Sequence, residues 1–319
     1  MPKKILILGG TGRLGRTLVQ TFAQMDTEVY APAHAEVHAE REDEIVKYAT
    51  RALGGAPEAI VCAAAWTDVA SAKQHQSAAY VGNVLAPQGA ARAATYWGVP
   101  LVHYSTDYVF SGGGRRVLHS NERTLPQGVY GRTKLAGERA ARDVIHGSVA
   151  RLLVVRAGWL YSECRSEGFP SRVLALALQG RLRAMRVNQY GRPTSYEALA
   201  RWSAEMLVGN AMAAIQPGAT KVLHFAPEGN FVSRYALTRY VLERAAESGL
   251  LPAGTERNNL ENILQKLKGL RTHVRSQPEN CRLASEQHAF FAGSTDSPWE
   301  VAVTRAVVRF LQERLSARK

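Results

Sequence analysis

KKILILGGTGRLGRTL, residues 3–18, joins an apolar run to a glycine-spaced turn and then to an amphipathic segment. Lys4–Leu8 reads as a buried strand and Arg13–Met25 as a helix. Gly9, Gly12 and Gly15 stand three apart between them. Glycines there permit a tight turn and let backbone N–H groups approach a pyrophosphate, whose charge the helix N-terminus favours. The spacing is a GxxGxxG variant of the dinucleotide fingerprint. Gly9, Gly12, Arg13, Leu14 and Gly15 are therefore expected to line a nucleotide cofactor.

Outward from this stretch the same alternation continues. Strands are expected at Glu28–Ala31, Ala59–Ala63, Leu101–Tyr104 and Leu152–Arg156. Helices are expected around Glu40–Leu53, Ser77–Trp97 and Val129–Val144. Near-continuous apolar strands separated by helices predict an α/β fold, a Rossmann-type doubly wound parallel sheet covered on both faces. Beyond Tyr161 the pattern loosens. Helical segments at Arg172–Gln179 and Glu197–Val208 precede a strand at Lys221–Phe225 that is expected to return to the sheet edge, and further helices follow near Ser233–Glu247 and Pro298–Leu315. The chain thus divides into a cofactor domain, 1–160, rejoined by about 196–226. A smaller, partly interleaved substrate domain occupies 161–319, mainly 161–195 and 227–300.

Composition narrows the function. A chain of 319 residues with 46% hydrophobic and 21% charged residues has the make-up of an ordinary globular protein. No apolar run approaches the roughly 18 residues of a membrane span, and the run after Lys3 and Lys4 is too short for a secretory leader, so a cytoplasmic location is expected. The three cysteines, Cys62, Cys164 and Cys281, are widely separated and odd in number, which excludes a disulfide framework or a CxxC metal clamp. No carboxylate or His/Cys cluster has ligand spacing, so no active-site metal is expected. The net charge of +13 favours an anionic partner. The basic residues form no block and no nucleic-acid motif, which points away from nucleic acid and towards phosphorylated small molecules.

The second strand ends Tyr30-Ala31-Pro32-Ala33-His34, with no carboxylate to hold an adenosine ribose until Glu36. Arg13 sits where a guanidinium meets a 2′-phosphate. NADP(H) is favoured, with NAD(H) the alternative. Tyr130 and Lys134, in VYGRTKLAGE, share a helix face. Upstream, STDYVFSG places Ser105, Thr106 and Asp107 at the carboxyl end of a strand, where α/β proteins bind ligands. Such a set suits carbonyl reduction. A phenol titrates near pH 10, and bringing it to about 7 takes roughly 4 kcal/mol, which the Lys134 ammonium and a nicotinamide cation would share. Tyr130 would then donate its proton to the developing alkoxide while Thr106 holds the carbonyl oxygen.

The ordered set GGTGRLG, CAAAWTDV, YVGNVLAPQGAARAA, STDYVFSG, YGRTKLAGE, RAGWLYS, NQYGRPT and RLA (282–284) resembles the extended short-chain dehydrogenase/reductase superfamily. More narrowly it is similar to the dTDP-4-dehydrorhamnose reductase family. The resemblance implies that Thr106, Tyr130 and Lys134 reduce the 4-keto group of a nucleotide-linked 6-deoxyhexose. It also implies that Cys62, Ala63, Ala64, Ala65, Asn83 and Ser105 line the cofactor groove, with Tyr130 and Lys134 touching the cofactor too. Thr106, Asp107, Tyr108, Trp159 and Arg192 are then expected on the substrate side, Arg192 towards a diphosphate. The expected partner is the nucleotide sugar, with no membrane, in a monomer or homodimer. The alternatives within the same resemblance are an epimerase or dehydratase, or a non-catalytic NADP-binding protein like the methionine adenosyltransferase β subunit. Against dehydration, Asp107 is followed by Tyr108 and not by a second carboxylate. Four stretches depart from the family pattern: HAEVHAE (34–40) with His38 near the adenine, the basic RVLHSNERTLPQGVYG (116–131), ECRSEGFPSRV (163–173) and THVRSQPENCRLASEQ (272–287).

Overall fold

The computed structural model describes residues 2–251, 253–272, 277–293 and 297–317. Six parallel strands form its main sheet: β1 (Lys3–Leu8), β2 (Thr27–Tyr30), β3 (Ala59–Cys62), β4 (Pro100–Thr106), β5 (Arg151–Ala157) and β6 (Thr220–His224). Their order across the sheet is 2-1-3-4-5-6. The register runs through Ile5 opposite both Val29 and Ala59, Cys62 opposite His103, Tyr104 opposite Val155 and Val222 opposite Val154. The chain leaves β1 in one direction to form β2 and returns on its other side as β3. This reversal opens a crevice at the carboxyl ends of β1 and β3, the place where a doubly wound sheet takes its ligand.

Strand alternation sorts the apolar side chains between two faces. Ile5 and Ile7 pack with α1 (Arg13–Phe22) and α7 (Tyr196–Val208), whereas Leu6 and Leu8 pack with α2 (Glu42–Leu53), α4 (Ala86–Trp97) and α5 (Val129–Ile145). Burial on both faces is why these strands read as unbroken apolar runs. A second apolar cluster lies beyond the sheet, built on Trp159 and Tyr161 with α6 (Phe169–Leu178), α8 (Arg234–Glu247), α9 (Thr255–Lys266) and α11 (Trp299–Ser316).

Two expectations change. The single helix expected at Ser77–Trp97 is α3 (Gln76–Tyr80) joined to α4 through one π-helical turn, Val81–Leu85. Helical periodicity does not reveal such a widened turn, because the apolar spacing on either side is preserved. Helix α9 was not expected, and only Leu260 and Ile263 of it are buried, which leaves its apolar stripe too thin to read. The strand at Thr220–His224 does join the sheet edge, beside β5.

Candidate active site

The glycine turn folds as its spacing demands. Gly9 has φ +81°, and a Cβ there would lie 2.5 Å from the Ala64 nitrogen, so the β1 turn rides directly on the chain leaving β3. A Cβ on Gly15 would overlap the Gly9 carbonyl oxygen. Gly12 is the N-cap of α1 and offers no side-chain cap; its own N–H bonds the Gly9 oxygen at 3.0 Å. No acidic residue occupies the first turn of α1. The cradle therefore presents uncapped N–H groups and no competing carboxylate, the donor set a pyrophosphate requires. Leu14 is buried and Arg13 is exposed, with its charge falling on the Tyr196 hydroxyl at the start of α7.

Around the crevice, Ala63 and Ala64 are half-buried and Ala65 is exposed. Cys62 is buried with Leu6 and Leu8, and burial pushes its thiol up to about 11, opposed by the Lys134 ammonium and the Ala64 N–H. Asn83 sits in the π-helical turn and is fully buried. Its Oδ1 accepts from the Trp66 N–H at 3.0 Å and its Nδ2 donates to the Thr133 hydroxyl at 3.0 Å. Asn83 thus ties the chain after β3 to α5. At the end of β2, His38 pairs with Glu44 at 2.8 Å and stands edge-on to His34.

Thr106 ends β4, and Tyr130 and Lys134 lie on the first turns of α5. The Thr106 hydroxyl donates to Asp107 Oδ1 at 2.9 Å and accepts from the Tyr108 N–H at 3.2 Å. The Tyr108 and Tyr130 rings meet edge to face with centroids 5.6 Å apart. Lys134 Nζ donates to the Tyr104 carbonyl at 2.6 Å. Beneath these groups, Ser105 donates to Glu138 Oε1, and Arg156 grips the same carboxylate through Nε at 3.0 Å and a terminal nitrogen at 2.7 Å. Glu138 is 0% and Arg156 3% exposed. Such a pair holds only because its remaining polar atoms are satisfied.

Burial, countered in part by the Thr106 hydroxyl, raises the Tyr130 phenol above its ordinary value. Burial also drives Lys134 down to about 8, with Cys62 and Glu138 opposing the change. One of the three N–H groups of Lys134 is committed to a backbone carbonyl. Asp107 is raised by burial as well.

On the substrate side, Asp107 and Tyr108 flank Thr106 as expected. Trp159 is buried in a left-handed backbone conformation, φ 54°, which is costly for an aromatic residue. Arg192 donates through one terminal nitrogen to the Pro227 carbonyl at 3.1 Å and to the Ser285 hydroxyl at 2.8 Å, and covers the Phe231 ring at 4.1 Å. The sequence reading missed Arg234. This residue opens α8, and its guanidinium lies 3.5 Å over the Trp159 ring and 4.5 Å over Phe169. Nothing in NFVSRYALTRYV, read alone, announces that contact.

The departing stretches explain one another. The Leu118 N–H bonds the Arg282 carbonyl at 2.7 Å and the Ala284 N–H bonds the Leu118 carbonyl at 2.9 Å, so the basic loop and the 282–284 segment are stitched together. Within THVRSQPENCRLASEQ, residues 273–276 lie outside the described residues. The 162–167 loop docks on α1 through Arg16 to Glu167 at 2.6 Å and Arg165 to Thr17 at 3.1 Å. Among the described residues no three His, Cys, Asp or Glu side chains converge on a metal position, and no helix is long and apolar enough to cross a membrane.

Comparison with known proteins places this arrangement. The family model described as RmlD substrate binding domain matches residues 3–312. The dTDP-4-dehydrorhamnose reductase of Salmonella typhimurium is 29% identical over 301 residues, covering 94% of this chain and 96% of that protein. The dTDP-4-dehydrorhamnose reductase of Mycobacterium tuberculosis is 32% identical over 249 residues, covering 76% of this chain and 75% of that protein. Among solved structures, the dTDP-4-dehydrorhamnose reductase of Bacillus anthracis in complex with NADP superposes with a TM-score of 0.78 at 19% identity, covering 97% of this chain and 98% of that one.

Proposed function

This chain belongs to the RmlD substrate binding domain family, and on that premise we propose that it is an NADPH-dependent reductase of a dTDP-linked 4-keto-6-deoxyhexose. The observation that carries the reading is the convergence of Thr106, Tyr130 and Lys134 at the carboxyl end of β4, beside the crevice between β1 and β3. The named activity of the relatives, matched over most of this chain, supports the same substrate class. In this reading residues 1–160 with 196–226 hold the cofactor. The cluster of α6, α8, α9 and α11 closes the substrate side.

The glycine cradle and the free N–H groups of α1 would hold the pyrophosphate, and Arg13 would meet the 2′-phosphate, with NAD(H) the poorer fit. Lys134 and Asn83 would border the nicotinamide half. Bound NADPH supplies the hydride. Thr106 rotates its hydroxyl from Asp107 to the sugar carbonyl oxygen and holds it in line with Tyr130. Tyr130 then gives its phenolic proton to that oxygen as it becomes an alkoxide. An alkoxide is more basic than a phenolate, so the transfer runs downhill even from a phenol raised by burial. A raised value also keeps Tyr130 protonated at neutral pH, which is the state a reductase needs before each turnover. In the reductive direction this proton transfer does not require an acidified tyrosine.

Purified protein mixed with NADPH and the dTDP-4-keto sugar tests the reading: consumption of NADPH matched by formation of the 4-hydroxy sugar is expected. Tight NADPH binding without turnover would overturn it in favour of a regulatory role.

A further inference from the structure

Arg234 is a cation without a hydrogen-bond partner among the described residues, held beside the candidate reaction centre. Its guanidinium carbon stands over two rings, 3.5 Å from the Trp159 centroid and 4.5 Å from the Phe169 centroid. Face-on stacking fixes the plane of a guanidinium while leaving its N–H edge free. Trp159 is itself held at φ 54° directly after Gly158, whose backbone lies against the Asp107 carboxyl group. Asp107 in turn accepts from Thr106, and Tyr108 packs on Tyr130. Arg234 is thus linked to the groups assigned to the reaction through Trp159, Gly158 and Asp107.

The ionisable neighbours of Arg234 are Asp107, Tyr108, Cys281 and a second cation, Arg186. Arg186 spends its terminal nitrogens on Gln277 and on the Thr272 carbonyl. Tyr108 and Cys281 are both raised by burial and stay neutral, and burial discourages Asp107 from ionising. A guanidinium has five N–H donors, and with this one stacked over Trp159 and Phe169 and none of its side-chain N–H groups bonded among the described residues, it has donor capacity to spare. Its planar fork matches two oxygens of a carboxylate or phosphate.

We propose that Arg234 is a specificity-determining residue that binds an oxyanion of the substrate through its free N–H edge, on the wall formed by Trp159. The proposal rests on the nucleotide-sugar reading above. The diphosphate bridge is the oxyanion that a dTDP-linked 6-deoxyhexose carries; a hexose carboxylate, which a 6-deoxy sugar lacks, is the second source of the same chemistry that the test separates from it.

Titration of wild type, Arg234→Gln and Arg234→Lys with dTDP, dTDP-glucose and dTDP-glucuronate, with NADPH affinity measured in parallel, separates the sources and checks the fold. If the diphosphate is read, Arg234→Gln weakens all three ligands at least tenfold. If a hexose carboxylate is read, dTDP and dTDP-glucose bind as in wild type and only the preference for dTDP-glucuronate falls, by tenfold or more, and the 6-deoxyhexose assignment gives way to a uronate. In either case Arg234→Lys recovers part of the loss and NADPH affinity stays within twofold. Wild-type affinity of Arg234→Gln for all three ligands, with NADPH binding retained, overturns the proposal. A wild-type protein that binds NADPH but none of the three overturns the nucleotide-sugar reading itself, and the proposal with it.

Discussion

Tyr130 and Lys134 are four residues apart, and their separation in chemistry is as informative as their proximity on α5. The tyrosine is kept protonated by burial, whereas burial drives the lysine towards neutrality at about 8. Replacing Tyr130 by Phe removes a proton donor and little binding surface. A fall in kcat of at least a hundredfold is expected, with NADPH affinity within a few fold, in steady-state and binding measurements. Lys134 faces Cys62, His103, Glu138 and the Tyr104 carbonyl, and below pH 8 it carries its charge. As pH rises through about 8 that charge is lost, so kcat/KM is expected to decline above this pH. Lys134→Arg, which stays charged, should abolish the alkaline decline whatever activity it retains. A wild-type profile flat to pH 10 would remove Lys134 from the charge balance of the site.

Elements position these residues through a few buried ties. Glu138 joins α5 to β4 through Ser105 and to β5 through Arg156, all out of water. Deleting one side of such a pair leaves a buried charge, and Glu138→Ala is expected to cost about 3–5 kcal/mol, read from denaturant unfolding. Retained stability would show that water reaches the Arg156 head. At the other end of the sheet, the N-terminal turn of α1 places Arg13 outward beside the cradle. Arg13→Ala should raise the dissociation constant of NADPH more than that of NADH. Equal effects on both cofactors would contradict the 2′-phosphate assignment.

At the scale of the whole molecule, the glycine cradle rests directly on the chain leaving β3 in the main sheet, so ligand binding there should register in global stability. NADPH at a hundred times its dissociation constant is expected to add about 2.7 kcal/mol to unfolding, seen as a rise in Tm that saturates with concentration. No rise would mean that the cradle does not take the cofactor.

The linear chain determined the parallel sheet, the glycine turn and the Tyr130–Lys134 face by itself. Each depends on local spacing: apolar runs for doubly buried strands, glycines where a backbone must approach another backbone, and a four-residue step on a helix. The edge strand Thr220–His224 was legible for the same reason. Folding alone decided the rest. The π-helical turn at Asn83, the stitch between Leu118 and Arg282, and Arg234 over Trp159 join residues distant in the chain, and no local pattern encodes a partner that far away. The direction of the Tyr130 and Lys134 shifts belongs here as well. Motif spacing records which groups are neighbours, whereas desolvation depends on everything packed around them.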